Sequence, residues 1–174
     1  MLFRSVSAGP DPKTSFDLAQ GTSVLSGEDL RRMVQSTLGE TLAGTAGVSS
    51  TYHGPGASRP VIRGLSGDRV RVLDNGIGTL DAANVSPDHA TAVDPLFASR
   101  IEVLRGPSTL LFGSSAVGGA VNVISNAIPH TAPDGQARGT LETRLGGAGR
   151  ERSSSRAVPS RQAVPHSPNS THLE

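Results

Sequence analysis

The segment 100–126, RIEVLRGPSTLLFGSSAVGGAVNVISN, constrains the fold more than any other part of this 174-residue chain. Ile101 and Val103 alternate with Glu102 and Leu104 as in a strand, and Gly106-Pro107 then stops the ladder, because proline lacks the donor and glycine permits a turn. A short apolar turn and a glycine cluster follow, and Val121, Val123 and Ile124 resume an extended path. The glycines here do not form a phosphate loop, since GPSTLLFGSS has neither the spacing nor the lysine of that motif, and GSSAVGG lacks the spacing of a nucleophile elbow. Gly106, Gly113, Gly118 and Gly119 instead read as backbone positions that need positive φ or close packing.

Aromatic residues make up only 3% of the chain, while glycine and proline number 21 and 12, so burial must come from Val, Leu, Ile and Ala. The expected outcome is a small α+β domain, with a mixed β-sheet, short helices and long loops. Sixteen basic residues against fifteen acidic ones leave a formal charge of +1, which excludes strong electrostatic attraction to nucleic acid. No cysteine is present, so disulfides and thiolate metal sites are excluded as well. The N-terminus lacks the apolar run of a signal peptide, and no stretch of about 18 apolar residues is available for a membrane-spanning helix.

Along the chain, Ser26 with Asp29 three residues on predicts a capped helix carrying Leu30, Met33 and Val34 on one face. Leu38 and Leu42 predict a second short helix, ended by Gly44 or Gly47. Val48–Tyr52 and Val61–Arg63 read as extended around a Gly/Pro-rich loop that contains His53. Arg69–Asp74 alternates arginine and valine as a half-buried strand, and Asn75-Gly76 predicts a tight hairpin returning through Ile77–Leu80. A long polar loop covers 81–94, after which Asp94-Pro95 opens a short helix with aspartate as its cap.

Taken in order, IRG at Ile62–Gly64, VLDNGI at Val72–Ile77 and EVLRGP at Glu102–Pro107 make this chain resemble the plug domain of TonB-dependent outer-membrane receptors. The resemblance covers residues 20–127. It implies an N-terminal extension at 1–19, with Val6–Pro10 as the remnant of a TonB-contacting segment, and a linker at 128–139. Thr140–Leu145 alternates like a first barrel strand, assigned to 140–146, while the Ser-, Pro- and Arg-rich residues 147–174 are expected to be a disordered or non-native tail. The chain thus reads as a piece of a longer receptor in the cell outer membrane, whose partners are its own β-barrel, TonB and a transported metal ion or metal complex.

Ser86-Pro87-Asp88-His89 is the candidate site, offering a carboxylate oxygen and an imidazole nitrogen to a borderline metal. By residue type alone a structural or surface role fits better, because metal sites normally need four ligands and two adjacent ones leave coordination positions open. The loop SPDH followed by AVDP resembles the zinc-uptake branch of these receptors, which implies Asp88 and His89 as metal ligands completed by barrel residues, with zinc as transported substrate and no resident cofactor. The same resemblance implies ionic contacts with the barrel wall for Arg63, Arg100, Glu102 and Arg105, which otherwise read as the polar face of a sheet. It also assigns structural roles to Gly64 and Gly76. Three functions follow in order: a transport plug without enzymatic activity, a free-standing envelope binding module, and a small metal-dependent hydrolase using Asp88 and His89.

Overall fold

The computed structural model describes residues 5–6, 13–14, 21–54, 56–125, 138–147 and 150–159, and within 21–125 it places every described side chain except that of Ser108. Two units are distinguished, Met1–Ile128 and Pro129–Glu174. In the first unit, β1 (Ser5–Val6) pairs antiparallel with β2 (Lys13–Thr14). The proposed TonB-contacting remnant beyond Val6 and most of the linker lie outside the described residues.

A five-stranded sheet organises the rest. β3 (Thr22–Ser26) leads into α1 (Gly27–Met33) and α2 (Leu38–Leu42), and β4 (Val48–Ser50) pairs with β5 (Pro60–Ile62) in a separate hairpin. β6 (Val70–Asp74), β7 (Ile77–Gly78), β8 (Ala98–Leu104) and β9 (Gly119–Ser125) complete the large sheet in the order β3-β8-β9-β6-β7. β6 and β9 run parallel, and the other pairs are antiparallel. The expected mixed sheet with short helices and long loops is therefore present.

Registers place Leu25, Ile101, Val103, Val121, Val123, Val70 and Val72 on one face, in a core cluster with Leu30 of α1, which packs on β3 and β8, and with Leu38 and Leu42 of α2, which packs on β4 and β5. Each fully buried aliphatic side chain there contributes about 1.5–3 kcal/mol relative to exposure. The opposite face holds a smaller apolar group, Leu73, Leu104 and Ala120, packed with Val24 and Phe112. This second cluster corrects the half-buried reading of β6. Val70 and Val72 do point together into the main core, but Leu73 on the arginine side is buried too, because Phe112 from the turn Pro107–Phe112 closes over it.

Helix ends differ from expectation in instructive ways. Ser26 stands at the N-cap of α1 but makes no side-chain cap bond. It is still part of the ladder, paired with Arg100, so its extended backbone is fixed by the sheet rather than by the helix. Thr37 is the effective cap: its hydroxyl accepts from the Glu40 N–H at 3.3 Å and is also hydrogen-bonded to the buried Ser58 hydroxyl. Helix α2 ends at Ala43 in right-handed geometry, and of the two glycines expected to cap it, Gly47 takes positive φ. Thr37→Ala is expected to cost about 1–2 kcal/mol, measured by urea unfolding, whereas Ser26→Ala should be close to neutral.

The second unit is a two-stranded antiparallel hairpin of β10 (Arg138–Gly147) and β11 (Arg150–Pro159). The strand expected at 140–146 is longer than read and is paired. The expectation of disorder from 147 onward is corrected over 150–159: low apolar content argued against a packed core, but a backbone ladder does not require one. Residues 160–174 lie outside the described residues.

Candidate functional site

The hairpin after β6 sets where the long loop begins. Asn75 and Gly76 have φ of 49° and 84°, the pair of positive values that the tight turn needs, and Asp74 pairs with Ile77 across it. The return strand is only two residues long, and Leu80 is exposed rather than continuing the sheet. Thr79 anchors the exit, its N–H and hydroxyl both donating to the Val72 carbonyl at 3.1 Å.

Asp81 then closes the loop on itself. One carboxylate oxygen accepts the Ala83 N–H at 2.9 Å and the other accepts the Ala92 N–H at 2.8 Å, so residues 81 and 92 form a neck. Sequence reading passed over Asp81, although an aspartate before Ala-Ala-Asn is a cap signal. Within the neck, Ser86 N–H donates to the Ala82 carbonyl and His89 N–H to the Ser86 carbonyl. Asp94 caps the turn Pro95–Phe97 as expected, accepting from the Leu96 N–H at 2.9 Å.

At the outer end of this loop, Asp88 and His89 are exposed, at 70% and 56% of their side-chain areas. Asp88 Oδ1 accepts from the Ser86 hydroxyl and lies 3.0 Å from His89 Nδ1. The Ser86 hydrogen bond, then the one to His89, holds the Asp88 carboxyl below its ordinary value. A carboxylate engaging Nδ1 orients the ring and turns Nε2 away from it, which is the arrangement that supports a metal-binding imidazole from its outer side. In this arrangement His89 Nδ1 is engaged by Asp88 Oδ1 at 3.0 Å.

His53 is exposed, and its N–H bonds to the Ala57 carbonyl. Among the described residues, no group of three or more His, Asp or Glu is assembled to hold a metal ion.

The four charged residues separate into two pairs. Arg63 and Arg105 converge: a Cβ placed on Gly21 would lie 3.9 Å from a terminal nitrogen of each. Burial and the neighbouring Arg63 charge lower the Arg105 pKa from its ordinary value. Arg105 Nη2 donates to Ser23 Oγ at 3.0 Å and to the Ala46 carbonyl at 2.8 Å. Among the described residues, neither guanidinium pairs with a carboxylate. Arg63 itself has φ of 52° in the turn between Ile62 and Leu65, which exchange N–H to carbonyl bonds at 2.9 Å.

Arg100 and Glu102 form the other pair, with Arg100 Nε 3.1 Å from Glu102 Oε1. The Glu102 side chain is 0% exposed, and its other oxygen accepts from Asn122 Nδ2 at 3.3 Å. Within the domain the carboxylate thus meets both Arg100 and Asn122. Neighbouring strands bury it because residues 100, 102 and 122 share one face of the sheet.

Of the six glycines singled out, Gly64, Gly76, Gly106, Gly113 and Gly119 have positive φ. Gly118 is constrained by space, since a Cβ there would stand 2.8 Å from the Arg69 carbonyl oxygen, which already accepts the Gly118 N–H.

A mixed sheet with short helices and long loops is the fold of known receptor plugs. Residues 14–120 match the family described as TonB-dependent Receptor Plug Domain, and the chain belongs to that family. The vitamin B12 transporter BtuB of Vibrio cholerae serotype O1 is 33% identical over 119 residues, covering 67% of this chain and 19% of the transporter. The siderophore receptor PirA from Pseudomonas aeruginosa has 30% identity and a TM-score of 0.51, over 72% of this chain and 21% of that one. The copper transporter OprC, at 24% identity and a TM-score of 0.58 over 78% of this chain and 21% of that one, shares the fold. The chain spans about a fifth of the length of these relatives.

Proposed function

We propose that this chain is the plug of an outer-membrane uptake receptor and that its loop 81–92 takes part in capturing a transition-metal ion, zinc foremost. The observation that carries the reading is the exposed His89 imidazole, oriented by Asp88 on a loop whose neck Asp81 holds shut. Borderline Zn²⁺ suits imidazole nitrogen and carboxylate oxygen, and the likeness of SPDH and AVDP to the zinc-uptake branch selects it over other metals. The full receptor places this domain inside a β-barrel and couples it to TonB. Support for the barrel comes from β10 and β11, whose ten residues each are the length a tilted membrane-crossing strand needs. Arg63 and Arg105 then face carboxylates of the barrel wall, which offset the repulsion between two guanidiniums held together. Hydrolysis is the less favoured reading, because the family and its relatives are receptors and transporters.

Calorimetric titration of zinc into the 174-residue chain tests the metal reading. Weak one-to-one binding is expected, since one imidazole and at most one carboxylate leave other positions to water. His89→Ala should remove it, and Asp88→Asn, which keeps the shape but loses the charge that orients the ring, should weaken it about 10–100-fold. Equal titration curves for the wild type and the Asp88→Ala, His89→Ala double variant would refute the assignment.

A further inference from the structure

We propose that Asn122 is a positioning residue for the loop, joining the buried Arg100–Glu102 ion pair to the hairpin from which residues 81–92 extend. The connection can be followed atom by atom. Arg100 Nε meets Glu102 Oε1 at 3.1 Å, Glu102 Oε2 accepts from Asn122 Nδ2 at 3.3 Å, and Asn122 Oδ1 accepts the Gly76 N–H at 2.8 Å. Both ends of the Asn122 amide are therefore used, one by the ion pair and one by the turn.

Asn75 reinforces the same junction. Its N–H donates to the Val123 carbonyl at 2.8 Å, and its side chain accepts the Ser125 N–H at 3.1 Å and reaches Ser125 Oγ at 3.2 Å. β7 has only two residues and pairs with β6 alone, so these bonds to β9 supply much of what holds the hairpin tip in place. Beyond the tip, Thr79 and Asp81 carry the constraint into the neck of the loop. Asn122 is 1% exposed, and an amide buried in an apolar strand is costly unless both its groups are paired. Its position is accounted for by this bridge.

The consequence is that the ion pair on β8 governs the order of the loop. The Arg100 side chain is 26% accessible, so a carboxylate that competes for its guanidinium weakens the ion pair and loosens Glu102, Asn122 and then the turn. A carboxylate of another receptor segment has the required chemistry. The link to ligand capture rests on the proposed metal reading, whereas the link between ion pair and loop does not.

Residue-resolved amide exchange on the 174-residue chain, without metal, tests the structural link. Asn122→Leu removes both bonds and should speed exchange at Gly76 about tenfold, the equivalent of one net hydrogen bond. Ala83 and Ala92 should speed up severalfold, with the α1 amide of Val34 unchanged as the reference. Arg100→Gln touches none of these amides and should move Gly76, Ala83 and Ala92 in the same direction by less; it decides the matter if Asn122→Leu does not fold. Unchanged loop amides in the folded variant overturn the proposal, as does a uniform rise that includes Val34. A zinc titration of Arg100→Gln then separates the two readings: a wild type that binds no zinc removes the metal assignment, while the exchange result stands or falls independently.

Discussion

Gly119→Ala should lower the unfolding free energy by about 4 kcal/mol, a large share of what a domain of this size possesses. Gly119 has φ of 150°, where a side chain is strained, and an added Cβ would stand 2.8 Å from both Ile62 Cδ1 and the Leu104 carbonyl oxygen. The methyl end of Ile62 can move, but the carbonyl cannot without disturbing β8. Relief would require β9 to withdraw from β8 or from β6, and Gly119 is the residue paired with Val70 at the start of the parallel ladder. Gly76→Ala provides the comparison: it too has positive φ, at 84°, but no atom comes within 4 Å of the added Cβ, so it should lose only about 1 kcal/mol. Thermal and urea unfolding of both variants measure the difference; similar losses would mean that backbone strain alone, and not crowding at the strand junction, sets the requirement.

The second large effect concerns the buried ion pair. Arg100→Ala leaves the Glu102 carboxylate inside the sheet without its guanidinium, and removing one partner of a buried pair costs about 3–5 kcal/mol. The double variant Arg100→Leu, Glu102→Leu should recover most of that loss, because it removes the charge that is expensive to bury along with its partner. The recovery is expected to be incomplete, since Asn122 Nδ2 loses its acceptor. Chemical denaturation of the single and double variants gives the coupling directly. A double variant as unstable as Arg100→Ala would show that shape, not charge, governs this position.

What the sequence made legible was local. The Asn75-Gly76 turn, the cap at Asp94 and the alternation in β8 depend on neighbours within a few residues, and each lies where its pattern placed it. The parallel pairing of β6 with β9 joins residues about fifty positions apart and leaves no local mark. Glu102 and Asn122 were illegible for the same reason: a polar residue alternating with Ile and Val looks like the wet side of a strand until Phe112 and its cluster are seen covering that side. Ser26 and Thr37 show the competition directly, for both carry a capping hydroxyl and only the one free of the sheet ladder uses it. At the site, the sequence placed Asp88 beside His89 but did not show that the two side chains hydrogen-bond to each other. Adjacent residues in an extended loop can converge on one ion or hydrogen-bond to each other, and the hydroxyl of Ser86, two residues before Asp88, takes part in the second arrangement.

The Asp88 pKa shift adds a pH consequence with a definite sign. Its carboxyl is lowered by bonds formed in the folded loop, so the small stabilisation they confer is present above the ordinary carboxylate pKa of 3.8 and disappears as pH falls through the lower folded value. Throughout the neutral range the carboxylate stays charged, and zinc binding should decline on acidification through proton competition for the metal ligand.

The most direct measurement is the nitrogen NMR spectrum of the His89 imidazole during zinc addition to the 174-residue chain. Metal on Nε2, with Nδ1 still protonated and bonded to Asp88, should shift the Nε2 resonance strongly and Nδ1 little. If neither His89 nitrogen responds while zinc is taken up elsewhere or not at all, loop 81–92 is not where this plug meets a metal.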